Sequence, residues 1–213
     1  MDATVAVSAV RDVGPETVAL ELESPEGFDA EPGQFVKLST TIDGDGYARF
    51  YTLSSPGVDD TFEVTVGVDP EEAGPFSRFL IDLQAGDELD ISGPFGESYY
   101  EGESRVVVLA GGPGIGPAVG IAEAAVADGN EAAIVYRTDA PAHEDRLAAL
   151  RDSGASVDVV AEGESLDDTV AAALTRAADE QVFVYGFADF VTDATTALDA
   201  AGLGPKDEKV ANF

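Results

Sequence analysis

Cysteine is absent from the 213 residues. That removes structural disulfides, thiolate nucleophiles and Cys-ligated zinc or iron–sulfur centres within this chain. Histidine occurs once, in Ala142-His143-Glu144-Asp145. A His-built metal site is therefore not expected, no metal ligand is assigned, and His143 is expected at the surface near a helix start. Long apolar runs are also missing. No stretch approaches the ~20 apolar residues of a membrane-spanning helix, and Met1-Asp2-Ala3-Thr4 leads into strand-like sequence without a signal-peptide pattern. A soluble, cytoplasmic protein with no membrane span is expected, as a monomer. Positive charge is scarce: 11 Lys and Arg stand against 42 Asp and Glu, for a net charge of −31. The only lysines are Lys37, Lys206 and Lys209. No basic patch is left to meet a phosphate backbone, so no nucleic acid partner is expected.

The acids are spread along the chain, as at Glu21, Asp43, Asp59, Glu71 and Asp167, and are not gathered in a tail. Self-repulsion on this scale opposes compaction in dilute buffer. Molar salt shortens the Debye length to about 3 Å and removes most of that repulsion. The composition reads as adaptation to a salt-saturated cytoplasm, that is, a halophilic protein. A surface for calcium or a cationic partner is the weaker alternative, because no EF-hand-like spacing occurs. At 45% hydrophobic residues the chain is a folding sequence, and its length accommodates two modest domains.

The first half reads as short strands split by Gly, Pro and Asp, at 4–10, 17–23, 34–39, 48–54, 61–68 and 87–92. Six strands at such spacing predict a closed antiparallel β-barrel. Residues 75–83 place Phe76, Phe79, Leu80 and Leu83 at helical spacing, which predicts one helix covering that barrel. The second half alternates strands at 106–110, 132–136, 156–160 and 181–185 with Ala-rich helical stretches, the pattern of a parallel, Rossmann-like α/β sheet. The predicted domains are 1–100 and 101–213, with the boundary near 98–104.

Two motifs carry chemistry. Arg49-Phe50-Tyr51-Thr52-Leu53-Ser54-Ser55 combines a cation, aromatic rings and hydroxyls in one strand-like run. Alternation puts Arg49, Tyr51 and Leu53 on one face and Phe50, Thr52 and Ser54 on the other. Arg offers fixed donors for a phosphate, and Tyr offers a face for a flat ring. An ordinary barrel strand with an exposed Arg is the bland alternative. The apolar run Arg105-Val106-Val107-Val108-Leu109-Ala110 leads into Gly111-Gly112-Pro113-Gly114-Ile115-Gly116-Pro117 and then a helical stretch. Strand, Gly-rich turn and helix N-terminus form the setting in which a pyrophosphate is held. The spacing departs from G-x-G-x-x-G, and a merely tight strand–helix turn stays open as a reading.

In this order the motifs resemble the ferredoxin–NADP reductase superfamily of flavin-dependent oxidoreductases. Pro32-Gly33-Gln34-Phe35-Val36 is similar to that family's segment ahead of the flavin strand. Arg49-Phe50-Tyr51-Thr52 resembles its Arg-x-Tyr-Ser/Thr signature, and Gly74-Pro75-Phe76-Ser77 its Gly-x-x-Ser turn. The run Gly86-Asp87 to Gly93-Pro94-Phe95-Gly96 resembles the end of its flavin domain, and 111–117 its nicotinamide-nucleotide turn. The resemblance implies FAD and NAD(P)H as cofactors. It implies Arg49 at the FAD pyrophosphate, with Phe50 beside it, Tyr51 stacked on the isoalloxazine, and Thr52 as the catalytic hydroxyl near the hydride-accepting nitrogen. Val66, Gly67 and Val68 would offer backbone along the flavin, although the two valines also suit a barrel core. Ser77 with the amides of Gly74 and Phe76 would meet the second phosphate. The nicotinamide nucleotide would cross Gly112, Gly114, Ile115 and Gly116, with Gly186 and Phe187 bordering its ring. Arg137 would favour a 2′-phosphate and Asp139 a free 2′-hydroxyl, with a slight lean to NADPH. Phe213 would either cover the flavin or simply pack.

Two departures accompany the resemblance. Tyr185-Gly186-Phe187 stands where the family has Cys-Gly-Pro, so the thiol beside the nicotinamide is absent. Near the chain's end no acid falls in the matching place. The implied activity is hydride transfer from NAD(P)H to FAD, with single electrons passed to a separate acceptor such as ferredoxin. Two alternatives remain: a non-catalytic flavin-binding subunit of a larger redox complex, or a diffusible-flavin or ferric reductase. The charge analysis predicts that the melting temperature rises steeply between dilute and molar potassium chloride; thermal denaturation showing equal stability at both would refute the salt reading.

Overall fold

The computed structural model describes residues 1–68, 74–204 and 208–212. Six strands form the first sheet: β1 (Asp2–Gly14), β2 (Thr17–Glu23), β3 (Phe35–Ile42), β4 (Asp45–Thr52), β5 (Thr61–Gly67) and β6 (Glu88–Phe95). They are antiparallel in the order β4-β3-β6-β1-β2-β5. The two ends meet through a bridge between Leu53 and Val64, which curls the sheet into a barrel. Period-two alternation sets its inside: in β2, Leu20 and Leu22 are buried while Glu21 and Glu23 are not. Opposite them in register lie Val64 and Phe62, and the same core takes Val36, Leu38, Leu89 and Ile91. Helix α1 (Pro75–Ile81) buries Phe76 and Leu80 against this core, ending two residues short of the predicted span.

The second sheet is parallel. It contains β7 (Arg105–Gly111), β8 (Glu131–Arg137), β9 (Ser156–Val160), β10 (Glu180–Gly186) and β11 (Glu208–Asn212), in the order β11-β10-β7-β8-β9. Between them run α2 (Ile115–Ala127), α3 (Glu144–Asp152), α4 (Asp167–Ala173) and α5 (Ala188–Ala200). The near-continuous apolar character of β7 follows from burial on both faces. Val106, Val108 and Ala110 join the cluster containing α2 and α3 residues, whereas Val107 and Leu109 join the one containing α4 and α5 residues. The fifth strand, β11, was not expected, because Glu208-Lys209-Val210 is short and charged. Pairing with β10 forms it, and Lys209 Nζ anchors it by donating to the Tyr99 carbonyl at 2.6 Å and to Glu101 and Glu103 at 2.9 and 3.0 Å. Among the described residues no helix is long and apolar enough to cross a membrane.

The barrel rests directly on α2. A Cβ added to Gly116 would lie 2.5 Å from Thr65 Oγ1, and one on Gly120 would lie 2.9 Å from the carbonyl oxygens of Ser54 and Ser55. These glycines are four apart and share a helix face, so their lack of side chains is what permits the approach. Arg146 of α3 then ties the seam. It donates to Glu63 at 2.8 Å, to the Ser54 carbonyl at 2.6 Å, and bidentately to Glu123 at 2.8 and 2.7 Å. Glu63, in β5, also accepts from Ser54 Oγ at 2.7 Å and from Arg11 at 2.5 Å. Burial alone would raise its carboxyl pKa, but Arg146, Ser54 and Arg11 together hold it below the usual carboxylate range.

His143 is not a surface residue. It sits at the N-terminal cap of α3 with φ 57°, is 4% exposed, and shares a 2.9 Å hydrogen bond with Thr65 Oγ1 across the seam. Desolvation first, and then the Arg146 charge, push its pKa from 6.5 down to about 4. Between those two values the unfolded chain takes a proton that the fold refuses, so the native state loses stability as pH falls through this window. The expected contribution approaches about 1.4 kcal/mol per pH unit. Urea unfolding of wild type and His143→Gln between pH 6.5 and 4 should show a shallower pH slope for the variant; identical slopes would mean that His143 titrates normally in the fold.

Candidate functional site

A cleft of about 380 Å³ opens where the barrel meets the turn after β7. Its walls are Arg49, Phe50, Tyr51 and Thr52 of β4, Thr65 and Gly67 of β5, Ser77 of α1, Pro113 and Pro117 beside the Gly-rich turn, and Phe187 after β10. Both sequence motifs therefore meet in one place. The cleft lies at the end of β4, and residues from both faces of that strand reach it. Tyr51 is half-buried, and burial pushes its pKa up to about 12 against an opposing effect of the Arg49 charge. Thr52 is 6% exposed and Phe50 is 60% exposed. Arg49 donates only to the neighbouring Ala48 carbonyl at 2.9 Å, and no carboxylate pairs with it among the described residues.

The electrostatics of the cleft are unlike those of the chain. Acids make up 42 of the 213 residues, yet none is among the described residues lining this cleft. What lines it is a guanidinium with no carboxylate partner among the described residues, the hydroxyls of Tyr51, Thr52, Thr65 and Ser77, and aromatic faces. That donor set suits a flat aromatic ring joined to phosphate groups.

The remaining predicted residues fall around it. Val66 and Val68 are barrel core, so their side chains take no part, and Gly67 between them faces the cleft. Gly74 caps α1 and is exposed, while the Phe76 side chain is buried inside the barrel. Gly112 has φ 54° and neighbours the Phe187 ring. Ile115 is fully buried under the parallel sheet. Gly114 is required by packing: a Cβ there would stand 2.1 Å from the Tyr185 carbonyl oxygen. Gly186 packs on Phe190, and Phe187, 56% exposed, enters the cleft. The Tyr185 ring lies away from the lining, buried beside Gly33 with its hydroxyl 3.5 Å from the Ser98 carbonyl. Arg137 is buried at the end of β8 and bonded to Asp193. Phe213 lies outside the described residues.

Two features escaped the sequence reading. Thr65 lines the cleft and is held there by His143; its signal was a hydroxyl within the apolar run Val64-Thr65-Val66. Phe50 also belongs to an exposed aromatic cluster with Phe35 and Phe95, at ring distances of 5.5 and 6.3 Å. Aromatics at Gln34-Phe35 and Pro94-Phe95 hinted at it, but only the β3–β4 and β3–β6 pairings bring them together.

Residues 5–100 match the family described as oxidoreductase FAD-binding domain. Over 113 residues the chain is 34% identical to a probable dihydroorotate dehydrogenase B (NAD(+)), electron transfer subunit, from Methanopyrus kandleri, a match covering 53% of this chain and 40% of that protein. Among solved structures, the FAD/NAD binding domain of nitric oxide dioxygenase from Vibrio cholerae superposes with a TM-score of 0.83 at 20% identity, covering 99% of this chain and 98% of that one. A ferredoxin NADP+ reductase from Neisseria gonorrhoeae gives 0.79 at 19% identity, covering 99% and 98%. The fold is thus the two-domain fold of these reductases, a barrel followed by a parallel sheet. The family match thus covers the barrel half of the chain, and the likeness over the whole chain is one of fold.

Because Gly114 seats the turn on β10, Gly114→Ala is expected to cost about 2–3 kcal/mol through overpacking. Denaturant unfolding measures this, and a cost below about 0.5 kcal/mol would show that the turn can shift freely.

Proposed function

We propose that the protein is a flavin-dependent reductase that takes hydride from NAD(P)H and passes single electrons to a separate acceptor protein, such as a ferredoxin. The observation that carries this reading is a cleft, built from both motifs, whose described lining residues include a guanidinium, hydroxyls and aromatic rings but no acid. FAD, when bound, supplies the two-electron to one-electron conversion. The chain's residues supply position and electrostatics. Arg49, with no carboxylate partner among the described residues, would meet the pyrophosphate, and Tyr51 would present its ring to the isoalloxazine. Thr52 and Thr65 offer hydroxyls to the flavin edge, with Thr65 oriented by His143. Ser77 would meet a phosphate oxygen, and Gly112 would leave room for the nucleotide beside Phe187. On this reading residues 1–100 form the flavin half and residues 101–213 the nucleotide half. The acidic surface suits a cytoplasm rich in salt, where repulsion from an acidic acceptor would be screened.

The chain matches less than half the length of the Methanopyrus relative, whose name assigns it electron transfer as a subunit. Transfer to a partner protein is consistent with that. A second reading, a flavin-binding subunit without turnover of its own, is favoured by one observation: Tyr185 stands in place of the family's thiol and its ring does not line the cleft.

Anaerobic addition of NADH and NADPH to the flavin-loaded protein separates the two, since prompt bleaching supports the reductase and a flavin that stays oxidised supports the passive subunit. Arg49→Ala is expected to weaken FAD binding about tenfold to a hundredfold, the loss of one charge-assisted contact. Unchanged affinity in equilibrium dialysis would remove Arg49 from the site.

A further inference from the structure

The end of β8 holds a buried arginine whose charge is already committed. Arg137 stands in register with Gly111, the residue that opens the Gly-rich turn, and is 9% exposed. Its Nη1 donates to Asp193 Oδ2 at 2.6 Å and its Nη2 to the Glu164 carbonyl oxygen at 3.3 Å. The guanidinium lies 5.6 Å from the centre of the Phe190 ring. Its Nε is sealed from solvent and has no hydrogen-bond partner, so no ligand reaches it without moving the side chain. Asp193 follows Phe190 by three residues on α5, so one helix face supplies both the aromatic platform and the counter-charge.

The surroundings add further negative charge. Asp139, two residues beyond Arg137, accepts the Glu162 amide at 3.0 Å, which draws Glu162 and the Glu164 segment to the same sheet end. The next arginines along the chain are engaged elsewhere: Arg146 with Glu63 and Glu123, and Arg151 with the Val157 carbonyl. A 2′-phosphate brings close to two negative charges and needs a cation with free donors. A free 2′-hydroxyl needs only an acceptor, which a carboxylate provides.

We propose that Asp193, by neutralising and immobilising Arg137, makes this nucleotide site select NADH over NADPH. Asp193 is thus a specificity-determining residue that acts through Arg137. The proposal rests on the reading that a nicotinamide nucleotide crosses the 111–117 turn, and it replaces the lean to NADPH that Arg137 suggests when its partners are unknown.

Calorimetric titration of the flavin-loaded protein with NAD+ and with NADP+ tests it without turnover. Wild type is expected to bind NAD+ at least about tenfold more tightly, the effect of one net charge interaction of ordinary strength. Asp193→Asn should raise NADP+ affinity about tenfold while NAD+ affinity stays within about twofold, and Asp193→Glu should keep the wild-type ratio. A purely structural Asp193 would weaken both nucleotides alike. Equal binding of the two by wild type, or an unchanged ratio in Asp193→Asn, would overturn the inference and leave the nucleotide cleft standing. Binding of neither would overturn both, and anaerobic bleaching by each nucleotide then shows separately whether the reductase reading survives.

Discussion

The Glu63 carboxylate takes donors from both halves of the molecule, and the geometry of the cleft depends on it. Arg11 and Ser54 approach from the barrel and Arg146 from α3, while Arg146 also grips Glu123 on α2. Such a network is costly to leave partly satisfied, so its members fix one another's positions. Glu63 shares β5 with Thr65 and Gly67, which face the cleft, and Arg146 shares α3 with the cap residue His143, which holds Thr65. The wall that carries the flavin-type motif and the wall that carries the nucleotide-type turn are thereby set at one separation. Glycines at 116 and 120 make that separation short enough.

Cations are too few here to be placed casually. Arg11, Arg105, Arg137, Arg146 and Lys209 each meet at least one carboxylate, and most of them sit at junctions between elements far apart in sequence. Their partners are partly or largely buried in several cases, Glu180 at 3% side-chain exposure being the extreme. Buried pairs are screened far less by salt than exposed ones, so the Arg105–Glu180 and Arg146–Glu63 junctions persist under conditions that silence the rest of the acidic surface. Arg49 has no such partner among the described residues and stands at a cleft whose described lining carries no acid. The contrast between committed and uncommitted arginines is the strongest electrostatic statement the molecule makes.

Much of this was legible in the sequence, and the limits are physical. Strands such as β2 and β9 were placed to the residue, because period-two alternation and flanking Pro, Gly or Ser mark them. The Gly-rich turn was found from its neighbours, a strand and a helix. Its glycines suggest room for a ligand, whereas Gly114 and Gly116 chiefly make room for the protein's own Tyr185 carbonyl and Thr65. Tertiary contact of that kind leaves no local mark. His143 was misplaced for the same reason: a lone histidine among acids looks solvated, and only the seam shows its partner on β5. β11 was missed because its stability comes from pairing with β10 and from the Lys209 anchor, not from its own propensity.

The tight seating of the barrel on α2 also bears on how molecules come and go. Prying the halves apart would strip Glu63 and Arg146 of partners and expose a close-packed glycine contact, so breathing of the whole molecule is an expensive route to the cleft. Phe187 offers a cheaper one. It is the cap residue between β10 and α5, in extended backbone conformation, and is more than half exposed while lining the cleft. Rotation of an exposed ring takes picoseconds to nanoseconds, against microseconds to milliseconds for hinged domains. An exposed ring at the edge of the cleft can therefore reorient without any movement of the two sheets.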